Sequence, residues 1–130
     1  MLETLSTETL EAIFDTLPVD LTFVDDTDTI IYYNQSDEVI VERTPEVIGT
    51  KVQECHKPET VPKVNEILSD LKAGRKNVVE DWRDRDGRRI HIRYLAVKDR
   101  RGRYIGTLEV LQDITDIQKI TGEKRLLDEG

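Results

Sequence analysis

The stretch YLAVKDRRGRYIGTLEVLQDIT, residues 94–115, decides how this chain folds. Tyr94 to Val97 closes one run of β-branched and aromatic residues, Tyr104 to Ile114 forms another, and Arg101-Gly102 stands between them. Glycine accepts the positive φ that a tight hairpin turn demands, so the two runs are expected to fold back on one another. Asp86-Gly87 divides Asn77 to Arg83 from Arg89 to Val97 in the same way. The C-terminal half therefore reads as a meander of three antiparallel strands.

Upstream of the meander lies the strongest helical signal. Val64, Ile67, Leu68 and Leu71 share one helical face, Thr60 can cap it, Pro62 suits its first turn, and Gly74 supplies the stop. Near the N-terminus, Leu10, Ile13, Phe14 and Leu17 form a second stripe that Ser6 or Thr7 could cap and Pro18 ends. Leu21 to Val24 and Ile30 to Tyr33, separated by an aspartate-rich turn, read as a hairpin. From Asn34 to Gly49, Ser36 and Pro45 suggest one or two short helices. Two strands and three strands can join as one five-stranded antiparallel sheet in an α+β architecture. The middle helices then pack on one face and the N-terminal helix on the other.

One domain is expected from 130 residues, and one cysteine excludes an internal disulfide, which fits a reducing, cytoplasmic setting. No apolar run approaches the roughly 20 residues of a membrane helix. A net charge of −8 argues against nucleic-acid binding, which needs a clustered basic face. The arginines at 83–89 and 100–103 alternate with Asp84, Asp86 and Asp99, as on solvated hairpin tips.

The element order, with LTFVDD, IIYYNQ, the Asp99/Gly102/Gly106 hairpin and the closing triplet Asp113-Ile114-Thr115, resembles a PAS domain over residues 10–117. The boundaries that follow are an N-terminal dimer or cap helix over 1–18, the PAS domain over 19–116, and a charged, helical tail over 117–130. The stretch GTKVQECHKPETVPKVNEIL and the WRDRDG hairpin resemble a sensor subgroup that closes proteins often carrying hemerythrin-type domains upstream. The resemblance implies a sensory and dimerisation module rather than an enzyme. Only 15 residues follow Thr115, so its output is expected from upstream domains or a separate signalling protein.

Such domains hold a haem, a flavin or a metabolite between sheet and helices, or hold nothing. In the photoactive subgroup a cysteine follows a glycine by three residues, but Gly49 is followed there by Val52, and the glutamine of the last strand is replaced by Leu111. Haem-binding members carry the iron-binding histidine inside the long helix. Here Thr60 to Leu71 has none, and His56 falls in the preceding loop, so haem ranks third. Cys55 and His56 are adjacent and diverge, and His91 is the only other imidazole, which is too few ligands for zinc or iron. The same divergence disfavours a Cys–His nucleophile. Cys55 is expected as a small buried hydrophobe, and His56 as a loop residue whose ring satisfies a backbone carbonyl.

The PAS pattern turns Ile90, Ile92 and Tyr94 toward the helices, and strand alternation then places Thr107, Glu109 and Leu111 with them, and Val78, Glu80 and Trp82 on the neighbouring strand. With Val64, Leu68 and His56 these are the candidate pocket residues for a small, non-covalently held ligand. Glu80 and Glu109 would meet its polar end, or else pair with arginines or reach solvent at the sheet edge. Asn34 is expected to cap the helix after it. On the far face, Leu108 and Val110 with Leu10, Ile13, Phe14 and Leu17 are the expected homodimer contact. The alternative is a ligand-free interaction module whose cavity is filled by its own side chains. No nucleic acid or membrane partner is expected.

Overall fold

A computed structural model describes residues 1–128. Helix α1 (Thr7–Thr16) precedes strands β1 (Asp20–Asp25) and β2 (Ile30–Tyr33). Tight 3-10 turns at Pro45–Val47, Val52–Cys55 and Pro58–Thr60 lead into helix α2 (Val61–Lys72). Strands β3 (Val78–Arg85), β4 (Arg88–Lys98) and β5 (Tyr104–Asp113) complete the fold. The strands form one antiparallel sheet in the order β2-β1-β5-β4-β3, so the last strand is the central one and joins the two hairpins. This is the expected α+β layer.

Each turn is built by the chemistry its sequence offers. Asp86 and Gly87 take φ of 52° and 78° and place Arg85 opposite Arg88, a two-residue hairpin. Asp99 Oδ1 accepts the amides of Arg101 and Arg103 at 2.9 and 3.0 Å. Asp25 does the same in the β1–β2 turn for Thr27 and Thr29. In both turns hydrogen bonding favours the carboxylate, and both acids titrate below their ordinary value. Gly106 serves a different need. A Cβ there would lie within 2.7 Å of Phe23 Cε1 and closer still to Cζ and the Val24 carbonyl, so the Phe23 ring occupies the space a side chain would take.

Helix α2 buries Leu68 and Leu71 against the sheet. Its stop is as expected: Gly74 has φ 76°, and the Arg75 amide bonds back to the Asp70 carbonyl. Thr60 does not cap it. Its hydroxyl donates to the Lys57 carbonyl, because a 3-10 turn already leads into the helix. At the other end of the chain Ser6 does cap α1, accepting the Thr9 amide at 3.0 Å.

Residues 34–44 depart from expectation. The only helical piece between Asn34 and Gly49 is the turn Pro45–Val47. Side chains take the amides that a helix would need: Ser36 Oγ accepts Glu38 N, while Asp20 Oδ2 accepts Ile40 N and Val41 N. Asn34 caps no helix and instead ties α1 to β1. Its amide nitrogen donates to the carbonyls of Phe14 and Val19, and its oxygen accepts Leu21 N at 2.8 Å.

Helix α1 meets the outer sheet face at its β2 edge, where the Phe14 and Tyr32 rings lie 5.8 Å apart. It does not blanket that face: Ile13, Phe14 and Leu17 remain exposed. After β5, Asp113 Oδ1 accepts both the amide and the hydroxyl of Thr115, and that hydroxyl in turn accepts Arg89 N at 2.8 Å. The tail carries short 3-10 turns at Ile117–Lys119 and Leu126–Asp128 in place of a longer helix, and residues 129 and 130 of the expected tail lie outside the described residues. Among the described residues no helix is long and apolar enough to cross a membrane.

Candidate functional site

The inner face of the sheet is set by cross-strand register. Thr22 stands opposite Glu109, Glu109 opposite Tyr94, and Leu111 opposite Ile92, so these side chains share one side. Between them, α2 and the 41–56 segment lies a cavity of about 380 Å³. Its floor is Thr22, Ile92, Tyr94, Thr107, Glu109 and Leu111, and α2 adds Val64, Ile67 and Leu68. The loop wall contributes Arg43, Cys55 and His56. The structure thus brings Ile92, Tyr94, Thr107, Glu109, Leu111, Val64, Leu68 and His56 together around one space. Ile90 is buried on the same face but lies beyond the cavity wall.

Glu80 and Trp82 are not there. Because Arg85 faces Arg88, even-numbered residues of β4 pair with odd-numbered residues of β3: Ile92 with Asp81, and Tyr94 with Val79. Glu80 and Trp82 therefore pair with Arg93 and His91 on the opposite face, as does Val78 with Leu95. There Glu80 Oε2 meets His91 Nε2 at 2.6 Å, and the Trp82 ring lies 6.5 Å from the imidazole. Trp82 is 61% exposed. The two-residue turn contains this register, since its length alone fixes which parity faces inward.

The polar corner of the cavity is organised by Arg43. Its Nη1 donates to Asp20 Oδ1 at 2.8 Å and to the Val41 carbonyl, and its Nη2 donates to Glu109 Oε1 at 2.9 Å. All three side chains are largely covered, at 12% exposed for Arg43, 4% for Asp20 and 20% for Glu109. Glu109 pairs with an arginine, as one of the expectations for it has it. Burial pushes the Glu109 carboxyl up from its ordinary range, opposed by the charge of Arg43 and then by His56. Burial also drives the Tyr94 phenol upward, with the Glu109 charge adding to it. Both shifts mark a dry corner in which charge interactions are strong. Thr22 Oγ1, on the strand beside Glu109, is buried and has no hydrogen-bond partner.

Arg43, Asp20 and Thr22 are the functional candidates that strand patterning did not raise. Arg43 lies in an irregular loop, and Asp20 is an acid at the start of a strand whose inward parity matches Thr22. Cys55 is exposed at the cavity rim, not buried under α2, because the turn Val52–Cys55 lifts it away from the helix start. His56 turns toward the cavity and influences Glu109. Among the described residues no group of three or more His, Cys, Asp or Glu is placed to hold a metal ion.

The sequence profile of the PAS domain matches residues 10–115. Among solved structures, the C-terminal domain of a Streptococcus mutans protein is 34% identical, with a TM-score of 0.84 over 90% of this chain and 91% of that one. Two further structures share the fold at 19% identity. The PAS domain of a Colwellia psychrerythraea protein has a TM-score of 0.61 over 83% of this chain and 96% of its own. That of Bordetella pertussis BvgS has 0.64 over 86% and 88%. No curated protein matches the sequence.

Proposed function

The chain belongs to the PAS domain family, and from that premise we propose that it is a sensory module that holds a small molecule non-covalently in its cavity and works as a homodimer. The observation that carries this reading is the cavity itself. A space of about 380 Å³, walled mainly by aliphatic side chains with polar groups gathered at one corner, has the size and make-up of a small-ligand site. A domain acting only as an interaction module, with its interior filled by its own side chains, has no need of such a space.

Native mass spectrometry of the purified protein tests the reading. A co-purified small molecule, lost when Leu68 or Ile92 is enlarged to Phe or Trp, supports it. A cavity that takes up nothing from cell extract or from a metabolite library overturns it. Because His56 turns to the cavity, an absorbance spectrum belongs in the same experiment. A Soret band abolished by His56→Ala would replace the metabolite with haem.

The dimer half rests on the apolar surface left on α1. Ile13, Phe14 and Leu17 lie exposed beside an outer sheet face carrying Leu95, Val97 and Leu108. Leu10 and Leu108 are half-buried and Val110 is buried within the chain, so the exposed α1 residues are the stronger candidates. Sedimentation as a monomer well above micromolar concentration would remove this half. Signal output then passes to a partner in the same polypeptide or another one, as the resemblance implies.

A further inference from the structure

We propose that the cavity selects a small, largely apolar molecule whose polar head donates hydrogen bonds from nitrogen (an amine, amidine or primary amide) and that it rejects carboxylates and other anions. This deepens the ligand-binding reading above and rests on it.

Charge balance is the first argument. The corner gathers two carboxylates, Asp20 and Glu109, around one guanidinium, Arg43. Arg43 would be the natural anchor for an anion, but it is already committed: Nη1 serves Asp20 and the Val41 carbonyl, and Nη2 serves Glu109. An incoming anion would have to displace Glu109 from Arg43 while remaining close to both carboxylates. A donor head meets two carboxylates set against a single guanidinium, so the balance of charge at the corner favours it. Arg43 takes one oxygen of Glu109, Oε1, and the Tyr94 phenol opposite it on β4 also bears on the carboxylate, whose remaining lone pairs can still accept a hydrogen from a head in the cavity that Glu109 lines.

The second argument is independent of charge. Thr22 is 4% exposed, lines the cavity, and its hydroxyl has no partner. A buried hydroxyl without a partner is costly, and such groups are almost always satisfied in functional states. Thr22 and Glu109 are directly opposed across β1 and β5, which places their side chains side by side on the cavity floor. One nitrogen head seated between them donates to the carboxylate and engages the hydroxyl together. Val24, Ile30, Val64, Leu68 and Leu111 make most of the surrounding wall apolar, with Thr107, Cys55, His56 and Glu42 as polar exceptions, so the remainder of the molecule is largely apolar. The burial that raises Glu109 also strengthens its bond to a donor, because little water competes there.

The test uses four probes with one body: 4-methylbenzamidine, 4-methylbenzamide, 4-methylbenzoate and p-xylene, titrated into the full chain and followed by its amide NMR spectrum. The amidine and the amide are expected to move the Thr22 and Glu109 resonances, and the benzoate to bind roughly tenfold more weakly or worse. Glu109→Gln is expected to lower amidine affinity by about tenfold while leaving the amide within about threefold, and Thr22→Val to weaken both. The comparison among probes on the unaltered protein stands even if a variant fails to fold. Benzoate binding as tightly as the amidine, or p-xylene as tightly as the amide, overturns the head assignment and leaves ligand binding intact. Failure of all four to move any cavity resonance at millimolar concentration overturns the ligand-binding reading, and this inference with it.

Discussion

The Arg43 guanidinium reaches Glu109 at 2.9 Å across 66 positions of sequence, and its other terminal nitrogen holds Asp20 at 2.8 Å. One side chain thereby fastens an irregular loop to two adjacent strands of the sheet.

Removing that cation leaves two carboxylates facing each other in a covered site. Arg43→Met is expected to destabilise the fold by about 3 kcal/mol, since a broken buried pair strands its partners. The loss has a pH signature. Glu109 already titrates above its ordinary value, and without Arg43 it rises further. A carboxylate with a raised folded-state pKa favours the fold below its unfolded pKa and opposes it as pH rises through the folded one. The deficit of the variant should therefore shrink as pH falls from neutrality. Urea melts at several pH values check this, and a deficit that grows on acidification would contradict it.

Gly106→Ala is expected to cost about 1–3 kcal/mol, the usual range for forcing an extra carbon into a packed site. The new Cβ meets both the Phe23 ring and the Val24 carbonyl. Phe23→Leu should relieve the first contact and not the second. The double variant should thus be more stable than the sum of the single changes predicts, though still below the parent. Strict additivity in a double-mutant cycle would show that the ring is not the obstacle.

Asp113 closes the sheet through Arg88 and Thr115. The Arg88 hydrogen bond first, then the hydroxyl and amide of Thr115, hold its carboxyl at about 2 against an ordinary 3.8. A depressed carboxylate contributes stability that is present above about pH 4 and disappears as pH falls toward about 2. Asp113→Asn should lower the melting temperature at neutral pH, with the gap to the parent closing over that acid interval. Parallel thermal melts from pH 7 to pH 2 decide it, and a constant gap would assign the role to packing alone.

Trp82 is the only tryptophan and lies exposed on the outer face beside His91. Its fluorescence should respond to acrylamide as a solvent-exposed indole and ignore any ligand entering the cavity. If the outer face forms the homodimer contact, quenching should weaken as protein concentration rises. Quenching independent of concentration confines any dimer contact to the part of the outer face away from β3, where α1 lies.

What the amino-acid pattern revealed, and what it hid, follows the range of the forces involved. Turns and helix ends are local, so Asp86-Gly87, Asp99, Ser6 and Gly74 announced themselves correctly. Parity on β5 carried through, bringing Thr107, Glu109 and Leu111 to the cavity. Parity on β3 does not follow from alternation along the strand alone, because the two-residue turn pairs even positions of β4 with odd ones of β3 and so carries Glu80 and Trp82 to the outer face. Of the one or two short helices that Ser36 and Pro45 suggest, only the turn at Pro45 forms, because the groups that satisfy the amides of 34–44, above all Asp20, lie far away in sequence. Arg43 stayed hidden for the same reason, since a loop arginine looks like a solvated one until its partners on β1 and β5 are in place.

Asn34 has one further consequence. Its single amide gives two hydrogens to Phe14 and Val19 and receives one from Leu21, so it must present donor and acceptor to opposite sides at once. Aspartate would set negative oxygens against two carbonyls, leucine would offer nothing, and glutamine would overshoot. The coupling between the first helix and the sheet is thereby entrusted to a side chain for which chemistry supplies no substitute of equal length.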